Sequence, residues 1–398
     1  MFRKSLKFNT NIISVIVGIG IIIGLIYLVN HQPLNPSMNI GYTADTVKAR
    51  VLSIKEEGII QLGDVSQPYQ VFDIRVLEGD FEGQQFIIDY GKKYILQNPQ
   101  LLSPDQLILV SVSKMQDGNV YVHFVDFVRT NSLLILFVLF IFICVLVSGW
   151  KGFRSLLGIG VSVLVIIYYI IPQILDGENP ILISLLGSFM FLTMTQYLVY
   201  GWTLKTHIAL ASILVCVVFT GLIAVFFVDF ARLNGMGDEN AMYLLQQSDQ
   251  INLRNLLIAG IIIGALGIMD DLVVGQTSAV IEIYRANPDM SFRERYQRSM
   301  NIGKDHIAAT VNTLVLAYLG ASLSLFLLFS NNNVQFTNII NLNYLSEEVV
   351  RSLVGTIGLF MAVPITTFIA CWVVDHPKRL ETMVGVFGPL LNQSELHQ

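Results

Sequence analysis

Eight uninterrupted apolar runs, each long enough to cross about 30 Å of hydrocarbon as a helix, limit what this chain can fold into more than any other feature. They cover residues 12–29, 133–149, 156–175, 181–202, 208–228, 256–280, 307–329 and 352–374. In lipid such a segment satisfies its backbone N–H and C=O groups only within itself, so each run reads as a membrane-spanning helix. Charged residues make up 13% of the chain, against about a quarter in a soluble domain, which excludes a single water-soluble globule. A formal charge of −5 with no concentrated basic face argues against a nucleic-acid partner. Membrane lipid is the partner these runs require.

Cys144, Cys216 and Cys371 fall in three different runs and in no C-x-x-C or Cys/His spacing. Packing is therefore their expected role, rather than a disulfide framework or a metal site. Arg3, Lys4 and Lys7 precede the first run, which ends at Asn30-His31-Gln32-Pro33 without a small-x-small cleavage pattern. The expectation is an uncleaved anchor. Orientation follows from the basic residues in the short flanks: with the N-terminus inside, thirteen lie on cytoplasmic flanks and three (Arg232, Arg254, Arg351) on short outer loops. Both termini are expected in the cytoplasm.

Between the first two runs the chain has ordinary polarity. Phe72, Ile74 and Val76 alternate with Asp73 and Arg75, and 108–112 and 120–124 alternate likewise; 47–51 and 86–90 supply further strands. Five short strands in fewer than 100 residues suggest a small barrel of the OB type, serving either as a ligand or partner module or as a rigid cap. The expected architecture is a membrane α-helical bundle of about eight transmembrane helices, with this small extracytoplasmic all-β domain between helices 1 and 2. Residues 1–30 form the cytoplasmic N-terminus and anchor, 43–129 the β domain, 132–376 the seven-helix bundle and 377–398 a cytoplasmic tail.

The strongest chemical signal is Asp270-Asp271, adjacent carboxylates well inside the sixth run. Each costs about 2.5–3.5 kcal/mol near the centre of an inserted helix, so they should face protein or water. At about 100° per residue, Asp271 shares a face with Gly264, Gly267, Gly275 and Ser278. With Gly260, these glycines form a stripe on which a neighbouring helix is expected to pack closely. That would bury Asp271 as the protonated member of the pair and leave Asp270 ionised and facing a cation, since two carboxylates so close in a low dielectric do not both ionise readily. Proton relay or cation binding suits such a pair; an interhelical hydrogen-bond clamp is the plainer alternative. Candidate partners are Thr310, Asn312 and Thr313 on the seventh run, Gln276 and Thr277 on the same helix, and Thr193, Thr195 and Gln196 on the fourth. The basic segment 282–306, with Arg285, Arg293, Arg295 and Arg298, is expected to set topology first and to meet anionic lipid second.

The stretch Gly264-Ala265-Leu266-Gly267-Ile268-Met269-Asp270-Asp271, then Gln276-Thr277-Ser278, Arg285-Ala286-Asn287-Pro288 and Gly303-Lys304-Asp305-His306 through Asn312-Thr313-Leu314, closely resembles the YibE/F-like family of bacterial integral membrane proteins. The resemblance covers most of the chain from Thr43 onward and implies a bacterial plasma-membrane protein, with little about its chemistry. A fainter one, in the order of anchor, outside domain and bundle with a mid-helix Asp pair, is to half of a resistance-nodulation-division permease. That similarity implies proton relay by the pair, although this chain has two more spans and no lysine in its seventh.

The expectation is a secondary transporter or proton-coupled permease or export component, using protons or a small cation and moving a substrate the sequence does not name. The alternative is a non-transporting assembly or sensing protein whose outside domain binds a partner. An intramembrane enzyme ranks third, since there is no H-E-x-x-H and no Ser/His pair at matching depth. No cofactor or metal is expected; a second copy or a related membrane protein is the candidate protein partner.

Overall fold

The computed structural model describes residues 46–390, except 97–98, 115–119, 238–240, 242–243, 245–250, 322, 324–326, 328–335, 377–382 and 385. Its contacts divide it between residues 146 and 147 into two compact units, a β unit and a helical unit.

In the β unit, strands β1 (Thr46–Leu62), β2 (Val65–Val76), β3 (Gln85–Tyr90), β4 (Leu107–Lys114) and β5 (Val120–Phe127) form one antiparallel sheet in the order β3-β2-β1-β4-β5. β1 reaches both neighbours because it is long: its first part pairs with β4 from Thr46↔Ser111 to Arg50↔Leu107, and it pairs with β2 from Ala49↔Val76 to Leu62↔Val65. Register shifts between Val51 and Ser53 and between Ile54 and Glu56 are bulges that add twist. The sheet curls into a half-barrel, and Tyr90 on β3 meets Phe124 on β5 edge-on at 4.9 Å. Alternation places Ala49, Val51, Phe72, Ile74, Ile88, Ile108 and Val110 in a common core. Gly63, with φ 61°, occupies the first position of the two-residue β1–β2 loop, where a hairpin favours glycine. Two buried glutamines on β2 fasten the β3–β4 connection. Gln67 donates to the carbonyls of Gly91 and Tyr94 (2.6 and 2.7 Å), and Gln70 accepts from Leu102 N–H (2.7 Å).

The helices are α1 (Thr130–Val165), passing through a π-helical turn (Ile166–Ile170) into α2 (Ile171–Leu175), then α3 (Pro180–Tyr200), α4 (Leu204–Phe230), α5 (Leu253–Ala286), α6 (Phe292–Ala321), α7 (Phe336–Ile339) and α8 (Asn343–Val374). The wide turn precedes Pro172, whose ring cannot fit against the carbonyl four residues back in a regular helix. Asn179, Thr203 and Asn252 cap α3, α4 and α5 by accepting from backbone N–H groups, and Pro180 opens α3.

Among the described residues, five helices are long and apolar enough to cross a membrane: Thr130–Leu175, Pro180–Tyr200, Leu204–Phe230, Leu253–Ala286 and Asn343–Val374. The expected count of eight is thus not reproduced among the described residues. The first run lies outside them, and the seventh begins in α6 and continues into residues outside them. No loop separates the second and third runs: two helices follow one another directly and meet at a kink at Gly149 (φ 56°, ψ −139°), so that they count as one of the five. A left-handed backbone there is tolerated because glycine has no Cβ. Along residues 133–140 the apolar side chains are 49–69% exposed, a surface suited to lipid rather than to water.

α4, α5 and α8 form the centre of the helical unit, with Ile213, Cys216, Ile261, Leu266, Met269 and Leu359 in its core. Gly358 makes this crossing feasible, because a Cβ there would overlap Thr220 and Met269. Glu347, near the start of α8, accepts from the N–H groups of Gly235 (2.9 Å) and Gly237 (3.2 Å). Arg295, expected to set topology first and to meet anionic lipid second, is 1% exposed and so turned away from any lipid surface. It donates to Asp375 (3.0 Å) and to the carbonyls of Pro288 and Met290 (3.1 and 2.7 Å), fastening the α5–α6 connection to the end of α8.

Candidate functional site

Asp270 and Asp271 sit halfway along α5, an unbroken helix of 34 residues. Its inward face carries Ile258, Ile261, Ile262, Ala265, Leu266, Met269, Leu272 and Val273, all buried, at the three- and four-residue spacing of a helix. Gly260, Gly264, Gly267, Asp271 and Gly275 make up an exposed line along the opposite side. Asp270, one residue and about 100° from Asp271, turns toward α3 and is half-buried.

On α3, Gln196 is 1% exposed and its amide Nε2 donates to Asp270 Oδ1. The two residues line a cleft of about 400 Å³ between α1, α3 and α5, together with Asp271, Ser155, Ser162, Thr195 and Tyr200. Ser162 donates its hydroxyl to Gly158 O (3.1 Å) and Thr195 to Leu192 O (3.1 Å). Their oxygens keep lone pairs for the cleft. Gln196 Oε1 is buried and has no hydrogen-bond partner among the described residues. Among the described residues, no Lys, Arg or His belongs to the cleft lining.

Several expected partners lie elsewhere. Gln276, also on α5, donates to Ser299 O (2.9 Å) and Thr367 Oγ1 (2.7 Å), joining α5 to α6 and α8. Thr277 donates to Val273 O (2.8 Å), Thr310 to His306 O (2.9 Å) and Thr313 to Ala309 O (3.1 Å), each satisfying its own helix. Asn312 lines a separate groove of about 570 Å³ with Lys304, Phe360 and Pro364. Of the polar residues flagged on other spans, Gln196 is the one that hydrogen-bonds to Asp270.

The glycine stripe also differs from expectation. A Cβ at Gly260, Gly264 or Gly267 would meet nothing within 4 Å among the described residues, and at Gly275 only the His306 ring at 3.7 Å. No described helix closes on the stripe, so Asp271 is the more exposed carboxylate and Asp270 the more buried. This reverses the expected order: close approaches between helices are made through Gly187, Gly303 and Gly358 and not through the stripe. Ser155, Ser162 and Tyr200 were not foreseen as lining residues. The spacing Ser155, Gly158, Ser162, a small polar line along one helix face, was the available signal.

The family profile described as YibE/F-like protein matches residues 136–376. No curated protein and no solved structure matches the chain.

Proposed function

Because the chain belongs to the YibE/F-like family, whose name specifies no activity, we propose its function from the cleft: an ion-coupled secondary transporter or permease of the bacterial plasma membrane. Asp270 and Asp271 are the groups that take up and release the coupling proton or small cation. The observation that carries this reading is a pair of carboxylates halfway along an apolar helix, opening into a cleft that also holds polar side chains and whose lining, among the described residues, contains no basic side chain. Carboxylates at that depth are costly, and sites of ion movement are where membrane proteins keep them. The glycine stripe, which no described helix covers, supports it as well, since residues without side chains leave a trough on α5 leading to and past Asp271.

The arrangement proposed is eight spans with both termini in the cytoplasm and the β unit outside as a five-stranded, partly open barrel of the OB type. The basic asymmetry of the flanks and the strand order, with β1 between β2 and β4 and the outer strands β3 and β5 meeting at Tyr90 and Phe124, support it.

Reconstituting the full chain in liposomes with entrapped pH- and sodium-sensitive dyes tests the reading. Gradient-driven ion movement is expected in the native protein, with loss of at least about tenfold in Asp270→Asn, an ablation of about 1.4 kcal/mol or more, and a smaller loss in Asp271→Asn. Equal traces for empty liposomes and all three proteins would overturn it. The second reading, an assembly protein, draws on the same bare stripe, which suits a partner helix with small residues. Crosslinking from Gly264→Cys to another membrane protein, with no ion movement, would favour that reading.

A further inference from the structure

Resting on the reading of the cleft as the coupling site, we propose that its occupant is a monovalent alkali cation, sodium, held by Asp270 and the Gln196 side-chain carbonyl, rather than a proton alone. A proton needs one carboxylate oxygen and nothing more. This cleft presents several oxygens, and the donors of Gln196, Ser162 and Thr195 are already engaged. Gln196 spends its amide N–H on Asp270, which turns the other end of the amide, Oε1, into a buried acceptor without a partner. Ser162 and Thr195 spend their hydroxyl protons on their own helices. A buried acceptor left unpaired is costly, and the charged groups of the lining, Asp270 and Asp271, are acceptors too when ionised. A cation between Asp270 and Gln196 Oε1 would satisfy both.

The chemistry of the set selects the ion. Carboxylate, amide carbonyl and hydroxyl oxygens are hard ligands, suited to alkali and alkaline-earth ions and not to soft transition metals. The charge count then separates the two groups. Asp270 and Asp271 are consecutive on a helix and so point about 100° apart; Asp270 turns into the cleft toward Gln196, while Asp271 lies on the exposed line of α5. One carboxylate with neutral oxygens matches a single positive charge, whereas a calcium or magnesium site would call for both carboxylates on one ion. Asp271, at the open side, draws cations toward the cleft through its field.

Equilibrium binding of radiolabelled sodium to the purified full chain tests the assignment without requiring transport. The native protein is expected to show saturable binding that unlabelled sodium displaces and calcium does not. Asp270→Asn should abolish it, and Gln196→Met, which keeps length but removes the oxygen, should weaken it by about tenfold or more. Asp271→Asn should retain the site with a modest loss. Gln196→Glu keeps an oxygen at the same reach and should still bind, so it provides the test if Gln196→Met does not fold. Absence of saturable binding in the native chain, equal displacement by calcium, unchanged affinity in Gln196→Met, or loss of binding in a folded Gln196→Glu would each overturn the proposal. Proton movement in liposomes without sodium binding would remove the sodium site and leave the transport reading. Sodium binding without any ion movement would do the reverse.

Discussion

The β unit and the helical unit both bury an apolar core, but they differ in what they leave outside it. In the β unit Ala49, Val51, Phe72, Ile74 and Ile108 are 0% exposed, while hydrogen-bonding side chains such as Glu56 and Tyr69 lie outside. In the helical unit Leu182, Val218, Leu222 and Phe226 are more than 44% exposed, while Ser184, Gln196, Thr220, Gln276 and Thr367 are within 2% of fully buried. The first unit has a period of two and faces water; the second has a period near 3.6 and turns its apolar side chains toward lipid. What decides where a leucine goes is therefore the solvent on each side. A polar residue inside the second unit needs its own explanation, because lipid-facing helices gain little from burying more hydrocarbon.

The largest expected effect is on the water-facing side. Residues 43–129 expressed alone should give a β-type circular dichroism spectrum and a cooperative melt, and Phe72→Ala should cost about 3–5 kcal/mol, a large share of the 5–15 typical of a domain. A melt unchanged by that truncation would show that the curled sheet does not depend on its core. Next comes a surface change that water would barely register: Leu139, 49% exposed, replaced by Arg should lower membrane insertion of its helix by about 2.5–3.5 kcal/mol. Exposed positions facing water usually shift stability by less than about 0.5 kcal/mol. Full insertion of Leu139→Arg, read by glycosylation mapping, would mean that this face does not meet lipid.

A smaller loss, about 1–2 kcal/mol, is expected for Gln276→Leu, which removes the buried links to Ser299 O and Thr367 Oγ1. Thermal unfolding in detergent followed by tryptophan fluorescence would measure it. The smallest effect is a pH dependence of the β unit. Hydrogen bonds from Lys92 and Tyr69 hold the Glu56 carboxyl below its ordinary value of 4.5. A depressed folded-state value means that the stabilisation is present above 4.5 and is lost as pH falls through the lower folded value. Because this cluster is open to solvent, the melting temperature should fall only slightly more on acidification in the native unit than in Glu56→Gln. Identical acid profiles would show that the cluster contributes nothing.

Much of the coarse architecture was legible because it depends on composition along the chain. Four apolar runs became α3, α4, α5 and α8, and the alternating stretches became strands. What depends on rotation was not legible. The heptad-scale geometry puts Asp270 and Asp271 on adjacent faces of α5, but it does not say which face a neighbour will cover. The glycines suggested the Asp271 side; the close crossings use Gly358 and Gly303, and α3 covers the Asp270 side. Thr193, Thr195 and Gln196 looked equivalent in sequence, yet only the glutamine has the reach to cross to another helix, whereas both threonines bond within their own. Arg295 looked like any other basic residue near a membrane surface, because its partner Asp375 lies 80 residues away.

Gly149 has a consequence for depth. A continuous helix of the 46 residues from Thr130 to Leu175 would be about 69 Å long at 1.5 Å per residue, more than twice the hydrocarbon thickness. Where the backbone turns left-handed, the helix ladder is broken and carbonyls before the break and N–H groups after it need partners that hydrocarbon does not supply. In the proposed membrane arrangement the break therefore belongs at the water's edge, beside Trp150 and Lys151, residue types that favour that boundary. Gly149 then acts as a plumb mark: it sets where one crossing stops, and so the level from which the next, carrying Ser155 and Ser162, is counted down toward the carboxylates.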